Sequence, residues 1–187
     1  MKMFSKKVKP IVVGVCGRSC SGKSTVIKSL EGKYKGDFLH INQDKFFKVN
    51  ADNWESPNAL RNDRLIYSIK KLKAGKSTHI PSRGWTEIFD RKVTPHSVII
   101  VEGYLLFANK ELLKLFDKKI WVDISDVNLL YRRTKRDNTS KNIDYTMNVV
   151  IPESKKYEDI QKKEAEIIID GNKSKEEIIK EMEKHIK

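Results

Sequence analysis

The sequence predicts an α/β fold of three layers, in which helices cover both faces of a parallel sheet of five strands. Two observations support this prediction: short runs of apolar, β-branched residues recur along the chain, and stretches with helical features separate them. Because parallel strands need a crossover between them, this alternation favours a parallel sheet. The 187 residues are enough to bury one core, and without an internal repeat or a linker we expect a single domain over residues 1–187.

The strands are predicted from short apolar runs that end at polar residues. Ile11–Val15 leads into a glycine-rich turn, and Phe38–Ile41 ends at an Asn-Gln-Asp sequence. Val98–Val101 is continuously apolar, which is typical of a parallel strand buried on both faces. Lys119–Val122 and Ile167–Ile169 complete the set, and an aspartate follows each of them directly.

The helices are predicted from apolar spacing and from proline and glycine at their ends. They begin near Thr25, extend over Pro57–Gly75, Lys110–Phe116, Val127–Asp137 and Pro152–Glu164, and end with an amphipathic helix from Ser174. Residues 77–97 are expected to be irregular or to form a small hairpin, and the polar residues 138–144 are expected to be a mobile segment.

The stretch Gly17–Ser24, GRSCSGKS, matches the phosphate-binding P-loop pattern G-x-x-x-x-G-K-[ST] between a strand and a helix. Gly17 and Gly22 let the backbone approach phosphate oxygens, which face the N–H groups of the loop and of the helix. Lys23 brings a charge to the β- and γ-phosphates, and Ser24 offers a hydroxyl to Mg²⁺. ATP and Mg²⁺ are therefore expected, and the predicted nucleotide-binding residues are Gly17, Ser19, Ser21, Gly22, Lys23, Ser24 and Thr25.

Three acidic residues follow predicted strands and should lie at the edge of the sheet where ligands bind. Glu102 is predicted to hold Mg²⁺ directly or through water, with Gly103 leaving the approach open. Asp44 could accept a proton from a hydroxyl that attacks the γ-phosphate, although an N-cap or turn role is the alternative. Asp123 is interpreted as structural, because Ser125 or Asp126 can cap the next helix.

Arginines 132, 133 and 136 lie near the end of a predicted helix, just before the polar segment. A closing lid that carries them would neutralise transition-state charge and exclude water. Because they do not share one helix face, we expect some of them to reach the phosphates. Thr134–Asp137 also matches the guanine-reading [NT]-K-x-D motif, but it lies inside a helix and the chain has no D-x-x-G, which argues against a GTPase switch.

The chain carries a formal net charge of +13, but its charges are scattered and no nucleic-acid-binding motif is present. We therefore predict no nucleic-acid partner. No apolar run approaches the length of a membrane span, and the run at residues 11–16 is too short for a signal-peptide core, which predicts a cytoplasmic protein without membrane contact. Cys16 and Cys20 are interpreted as reduced structural thiols.

These motifs together resemble the uridine kinase-like P-loop nucleoside kinases, a family that includes the nicotinamide riboside kinases. The resemblance covers nearly the whole chain. It depends on the P-loop, QDKFF at 43–47, NWESPNA at 53–59, VEGYLLF at 101–107, YRRTKRD at 131–137 and the late stretch containing Pro152, Lys156-Tyr157, Ala165-Glu166 and residues 167–169.

The resemblance implies roles for matching residues. Asp44 resembles the base that accepts the 5′-hydroxyl proton, and Glu55 lies where the family places an acid on the ribose hydroxyls. Trp54 matches an aromatic that lines the nucleoside pocket, and Arg133 and Arg136 match lid arginines. The predicted catalytic residues are Lys23, Asp44, Arg133 and Arg136; the substrate residues are Asp44, Phe47, Trp54, Glu55, Arg83 and Arg133; the metal residues are Ser24 and Glu102.

The chain also departs from the family pattern. Uridine kinases have Asp-His-Pro where this chain has Glu55-Ser56-Pro57, which resembles fungal nicotinamide riboside kinases more closely. Arg83 replaces a base-contacting tyrosine, and Lys141 is the nearest basic residue to a missing Arg-Gly-Arg. The sequence thus predicts a kinase that phosphorylates the 5′-hydroxyl of uridine or cytidine. A nicotinamide riboside kinase is the alternative, and a P-loop nucleotide switch or nucleic-acid-linked ATPase is the alternative of another class; a homo-oligomer is left open.

Overall fold

The computed structural model describes residues 9–34, 36–137 and 141–186. Its strands are β1 (Ile11–Cys16), β2 (Phe38–Asn42), β3 (Thr78–Ile80), β4 (Arg91–Val93), β5 (Val98–Gly103), β6 (Lys118–Asp123) and β7 (Ile167–Asp170). Its helices are α1 (Lys23–Lys33), α2 (Asn62–Lys73), α3 (Lys110–Leu113), α4 (Asp126–Asp137), α5 (Lys141–Tyr145), α6 (Ile151–Lys163) and α7 (Lys175–Ile186).

The main sheet confirms the predicted α/β class. Five strands pair in the order β2-β5-β1-β6-β7, and all four pairings are parallel. In this register Asn42 lies opposite Glu102, and Cys16 lies opposite both Gly103 and Trp121. The carboxyl ends of β1, β2 and β5 therefore meet at one edge, where the P-loop and the turn after β2 begin.

Two apolar layers hold the sheet between the helices. On one face, α1 and α7 bury Ile27, Leu30, Ile178 and Met182 against the apolar side chains of the strands. The opposite face is covered mainly by α2, whose Leu65, Ile69 and Leu72 are fully buried. Each such side chain contributes about 1.5–3 kcal/mol when it leaves water. The predicted apolar face of the last helix is thus part of the core.

The stretch Pro57–Gly75 is not the single helix that its apolar spacing predicted. A 3₁₀ turn covers Pro57–Ala59, Leu60 is extended, and α2 begins at Asn62. Leu60 forms an antiparallel bridge with Phe47, and the Arg61 N–H donates to the Phe46 carbonyl at 2.8 Å. These tertiary hydrogen bonds interrupt the helix and join it to the turn after β2. The predicted helix at residues 110–116 is shorter than expected, since α3 ends at Leu113.

Residues 77–97 were expected to be irregular or to form a small hairpin, and the structure contains the hairpin, with β3 and β4 antiparallel. Of the polar segment at 138–144, residues 138–140 lie outside the described part of the chain, and the remainder belongs to helix α5. A π-helical turn at Thr146–Val150 connects α5 to α6, where Pro152 lacks the N–H of a regular helix. Within the described ranges, no helix is both long and apolar enough to cross a membrane.

Candidate active site

The P-loop joins β1 to α1, as its sequence predicts. Gly17 has a φ of 151°, and a Cβ atom there would collide with the Val122 carbonyl oxygen. The Lys23 ammonium group is held over the loop, donating to the carbonyls of Gly17 at 2.6 Å and Arg18 at 2.9 Å and to Ser21 Oγ at 3.2 Å. The loop thereby fixes a buried cation beside its own backbone.

The second residue of the P-loop is a buried arginine that sequence reasoning did not single out. Arg18 is 3% exposed, and its guanidinium contacts Asp126 Oδ1 at 2.6 Å and Glu158 Oε2 at 3.4 Å. Its Nε also donates to Ser154 Oγ at 3.0 Å. Since Asp126 begins α4 and the other two residues lie on α6, Arg18 connects the P-loop to both helices. Nothing in the local sequence reveals these partners.

The two predicted metal residues lie in contact. Ser24 Oγ donates to Glu102 Oε2 at 2.8 Å, while Glu102 Oε1 lies 3.0 Å from His40 Nε2 and accepts from Asn42 Nδ2 at 2.9 Å. Burial alone would raise the pKa of the Glu102 carboxyl, but the hydrogen bond and charge of His40, with Lys23 and Ser24, lower it below its usual value. An ionised carboxylate beside a hydroxyl fits Mg²⁺, which prefers hard oxygen ligands.

The environment of this carboxylate differs from the expected one in one respect. Gly103 does not open an approach to the metal site: a Cβ atom there would overlap Gln43 Oε1, so the glycine makes room for the Gln43 side chain. Among the described residues, no group of three or more His, Cys, Asp or Glu side chains could hold a metal ion. Mg²⁺ would therefore depend on Ser24, Glu102 and the phosphates of the donor.

A cavity of about 610 Å³ opens beside the P-loop, and we call it the donor cavity. Its lining includes Gly22, Lys23, Ser24 and Thr25, which were predicted to bind the nucleotide. Six cationic side chains surround it: Lys23, Lys28, Arg132, Arg136, Lys173 and Lys175. No carboxylate is found among the described lining residues. This charge distribution suits a triphosphate.

A second cavity of about 380 Å³, here the acceptor cavity, lies between the turn after β2 and helix α4. It is lined by Ser19, Asp44, Phe47, Trp54, Glu55, Trp85, Tyr104, Arg133, Arg136 and Tyr145. The predicted substrate residues are therefore brought together with one exception. Arg83 is exposed and does not line this cavity; its charge instead helps lower the pKa of Asp90. Trp85, two residues later, lies there in its place.

Asp44 faces the acceptor cavity without serving as a helix cap. The cap of its 3₁₀ turn is Asn42, whose Oδ1 accepts the Asp44 N–H at 2.7 Å. Within the described ranges, the Asp44 carboxylate itself makes no hydrogen bond, and solvent reaches it from the open side of the cleft. Desolvation by the surrounding cleft raises the pKa of this carboxyl; the Glu102 charge adds to the rise, and Lys23 and Arg136 oppose it.

Glu55 forms the other acid of the acceptor cavity. It is 7% exposed, and its N–H donates to Asn53 Oδ1 at 2.9 Å. Burial raises the pKa of its carboxyl, with Arg133 opposing and Asp44 and Glu153 adding to the shift. A buried carboxyl at this place has lost part of its hydration and can accept hydrogen bonds from ligand hydroxyls.

Aromatic rings form one wall of the acceptor cavity. Phe47 and Trp85 stack with centroids 5.8 Å apart and planes 4° from parallel, and Trp54 meets both rings edge-on. Trp85 has a φ of 53° and is 58% exposed, an unusual combination for a bulky residue. Backbone strain of this kind clusters at ligand sites, which makes Trp85 a candidate ligand contact. The sequence feature that could have pointed to Trp85 is its position directly after Gly84, two residues from the predicted substrate residue Arg83.

The three arginines of α4 divide between the two cavities. Arg132 lines the donor cavity and its Nη1 donates to the Cys20 carbonyl at 3.3 Å. Arg133 lines the acceptor cavity and its Nη1 donates to Ser19 Oγ at 3.2 Å. Arg136 lines both. Neighbouring residues on a helix point in different directions, which explains the division and shows that Arg132 belongs with the donor residues.

The sequence pattern of the Phosphoribulokinase / Uridine kinase family matches residues 12–176. The uridine kinase of Chlamydia pneumoniae is 32% identical over 184 residues, covering 87% of this chain and 82% of its own. That of Clostridium novyi is 31% identical over 189 residues, covering 90% and 91%. A structure described as a possible uridine kinase from Bacillus stearothermophilus aligns with a TM-score of 0.55 at 19% identity, covering 90% of this chain and 92% of that one. The resemblance seen in the motifs is thus confirmed, and the chain belongs to the phosphoribulokinase/uridine kinase family.

Proposed function

We propose that this protein transfers the γ-phosphate of ATP to the 5′-hydroxyl of a ribonucleoside, with uridine or cytidine as the acceptor. The chain is a phosphotransferase of its family that acts on an alcohol group. The observation that carries the proposal is the position of Arg136, which lines both the donor and the acceptor cavity. The two cavities therefore meet at a cationic side chain, as the transfer of a phosphoryl group between them requires.

The residues of the donor cavity would bind and orient the triphosphate. Lys23 and the N–H groups at the start of α1 would hold the phosphates, and Arg132 adds a charge from α4. Ser24 and Glu102 would hold Mg²⁺, which when bound neutralises phosphate charge and fixes the geometry of the phosphates.

On the acceptor side, Asp44 would accept the proton of the attacking hydroxyl. Its carboxylate makes no hydrogen bond within the described part of the protein, so a substrate hydroxyl can reach it. Glu55 would accept hydrogen bonds from the ribose, and the rings of Phe47 and Trp85 would contact the base. Arg133 and Arg136 would stabilise the charge that develops on the transferred group.

One observation favours nicotinamide riboside as a second candidate acceptor. The described lining of the acceptor cavity contains neither an Asn or Gln amide nor a histidine that could read the polar edge of a pyrimidine. It contains aromatic rings, the carboxylates of Asp44 and Glu55, and the guanidinium groups of Arg133 and Arg136, which the transferred phosphate would neutralise. Aromatic faces and acids attract a flat cationic ring such as a pyridinium.

The experiment is an ADP-release assay with Mg²⁺ and ATP, run with uridine, cytidine or nicotinamide riboside and without any acceptor. A kinase releases ADP only with an acceptor and yields a 5′-monophosphate that mass spectrometry detects. Hydrolysis at the same rate without an acceptor would instead identify a P-loop switch or ATPase. The acceptor with the highest kcat/KM decides between the pyrimidine and pyridinium candidates, and an Asp44→Asn variant controls for contaminating kinases.

A further inference from the structure

A cleft outside both active-site cavities lies between helix α2 and the β3–β4 hairpin. Its volume is about 280 Å³, and its polar lining consists of Arg64, Tyr67, Ser68, Lys71, Ser77, Thr78 and His79. Every one of these side chains can donate a hydrogen bond. The described lining contains no carboxylate. We call this feature the α2 cleft.

Two largely buried residues contribute hydroxyl groups to the α2 cleft. Ser68 is 1% exposed and Thr78 is 7% exposed, and both line the cavity. Within the described ranges, neither hydroxyl forms a hydrogen bond with the protein, although other serines on helices do, such as Ser29 with the Thr25 carbonyl. Neither oxygen is one of the fully buried, unpartnered polar atoms of the described residues, so both hydroxyls open into the cleft and can donate hydrogen bonds to the oxygen acceptors of a ligand bound there.

The charges at the rim of the α2 cleft are positive. Arg64, Ser68 and Lys71 have the spacing i, i+4, i+7, which places them on one face of α2. The Arg64 guanidinium lies 5.6 Å from the centre of the Phe89 ring, which holds it at the cleft. The acid next to it, Asp63, approaches to 4.0 Å with a side chain that is 80% exposed, so it screens Arg64 weakly.

We propose that the α2 cleft binds the phosphate group of a small metabolite, as an anion site separate from the P-loop. Arg64 and Lys71 supply charge, and the hydroxyls of Ser68 and Thr78 supply hydrogen bonds to phosphate oxygens. The cleft adjoins the acceptor side, because Phe89 packs edge-on against Phe46 at 6.2 Å, in the same 3₁₀ turn as Asp44.

The test is isothermal titration of the whole protein, saturated with Mg²⁺ and a non-hydrolysable ATP analogue, with inorganic phosphate and separately with glycerol phosphate, an ester that is not a nucleotide. Filling the donor cavity removes the P-loop as a phosphate site, and variants of the α2 cleft then separate binding there from binding at the arginines of the acceptor cavity. We expect affinity to fall at least about tenfold in Arg64→Gln/Lys71→Gln and about fivefold in Ser68→Ala, which removes no charge. The control Lys70→Gln/Lys180→Gln makes the same change in net charge at exposed positions and should bind like the wild type.

Absence of phosphate binding once the donor cavity is filled would overturn the proposal, and so would an equal loss in the control pair. If the Arg64→Gln/Lys71→Gln change weakens binding, tighter binding of glycerol phosphate than of phosphate identifies a phosphate ester as the ligand, and the reverse identifies the free ion; both results support the site. Because binding is measured without turnover, the result is independent of whether the proposed acceptor is correct.

Discussion

The carboxylate of Glu102 offers a direct test of the proposed metal site, through two substitutions that should differ strongly in their effect on stability. Three donors converge on it: Ser24 Oγ, Asn42 Nδ2 and the ring of His40. Glu102→Ala would leave all three without their acceptor at a site where Glu102 itself is 1% exposed. At about 1 kcal/mol for each partly buried donor, the expected loss of folding free energy is about 3 kcal/mol. This corresponds to a decrease in Tm of about 6–12 °C for a domain of this size.

Glu102→Gln keeps the shape and one oxygen acceptor. If that oxygen stays with Asn42 and His40, the new amide meets Ser24, whose hydroxyl can rotate to accept a hydrogen bond. The loss of charge-assisted hydrogen bonds is offset by removal of a buried charge, so Tm should change by less than about 3 °C. The lost carboxylate should nevertheless lower kcat at least about 100-fold and raise the Mg²⁺ concentration needed for half-maximal rate.

The assays are thermal unfolding by circular dichroism and coupled ADP release over a range of Mg²⁺ concentrations. Wild-type Mg²⁺ dependence in a folded Glu102→Gln protein would refute the metal role, and a Tm for Glu102→Ala equal to that of Glu102→Gln would refute the three-donor argument. The control is Ser29→Ala, on the exposed side of α1, which leaves the metal site intact. Asn42→Asp would not serve as a control, because it adds a charge beside Glu102.

Three further predictions concern individual residues. Only ionised Asp44 can accept a proton, and its pKa is raised, so kcat/KM should fall on acidification at a higher pH than an ordinary aspartate would give. Because the Arg136 charge lowers this pKa, Arg136→Gln should move the acid limb of the kcat/KM profile to a still higher pH. An acid limb near pH 4 in both proteins would contradict this prediction. Arg132→Gln should raise the KM for ATP by about tenfold, and Arg133→Gln should raise the KM for the nucleoside by about tenfold. If each variant changed both KM values equally, the assignment of the two arginines to different cavities would be wrong. Gly17→Ala should abolish detectable nucleotide binding in a fluorescence titration, because its Cβ would displace the loop from the Val122 carbonyl, and wild-type affinity would disprove this.

The strands and the P-loop could be predicted from sequence because their signals are local. An apolar run such as Val98–Val101 predicts a buried strand, and the P-loop motif is defined by the spacing of Gly17, Gly22 and Lys23 in the sequence. Asp44 and Glu102 could be placed together for a related reason, since parallel strands end at one edge of the sheet.

Other features depend on contacts between distant segments and were therefore missed. The helix predicted from Pro57 is interrupted at Leu60 because that residue pairs with Phe47. Trp85 reaches the acceptor cavity through a left-handed backbone conformation that a tryptophan does not signal in sequence. Gly103 makes room for the side chain of Gln43, sixty residues earlier in the chain. The sequence shows the glycine but not this neighbour, so an open approach to the metal was predicted instead.

The contacts of Arg18 limit how freely the P-loop can be exchanged. The motif allows any residue at this position, yet here a buried guanidinium neutralises Asp126 and Glu158. A chimaera that received the P-loop of a relative without this arginine would leave Glu158 without this cation and Asp126 with Lys155 as its remaining partner. Such a graft would lose stability unless α4 and α6 changed with it, so an exchange of the P-loop in this protein has to include both helices.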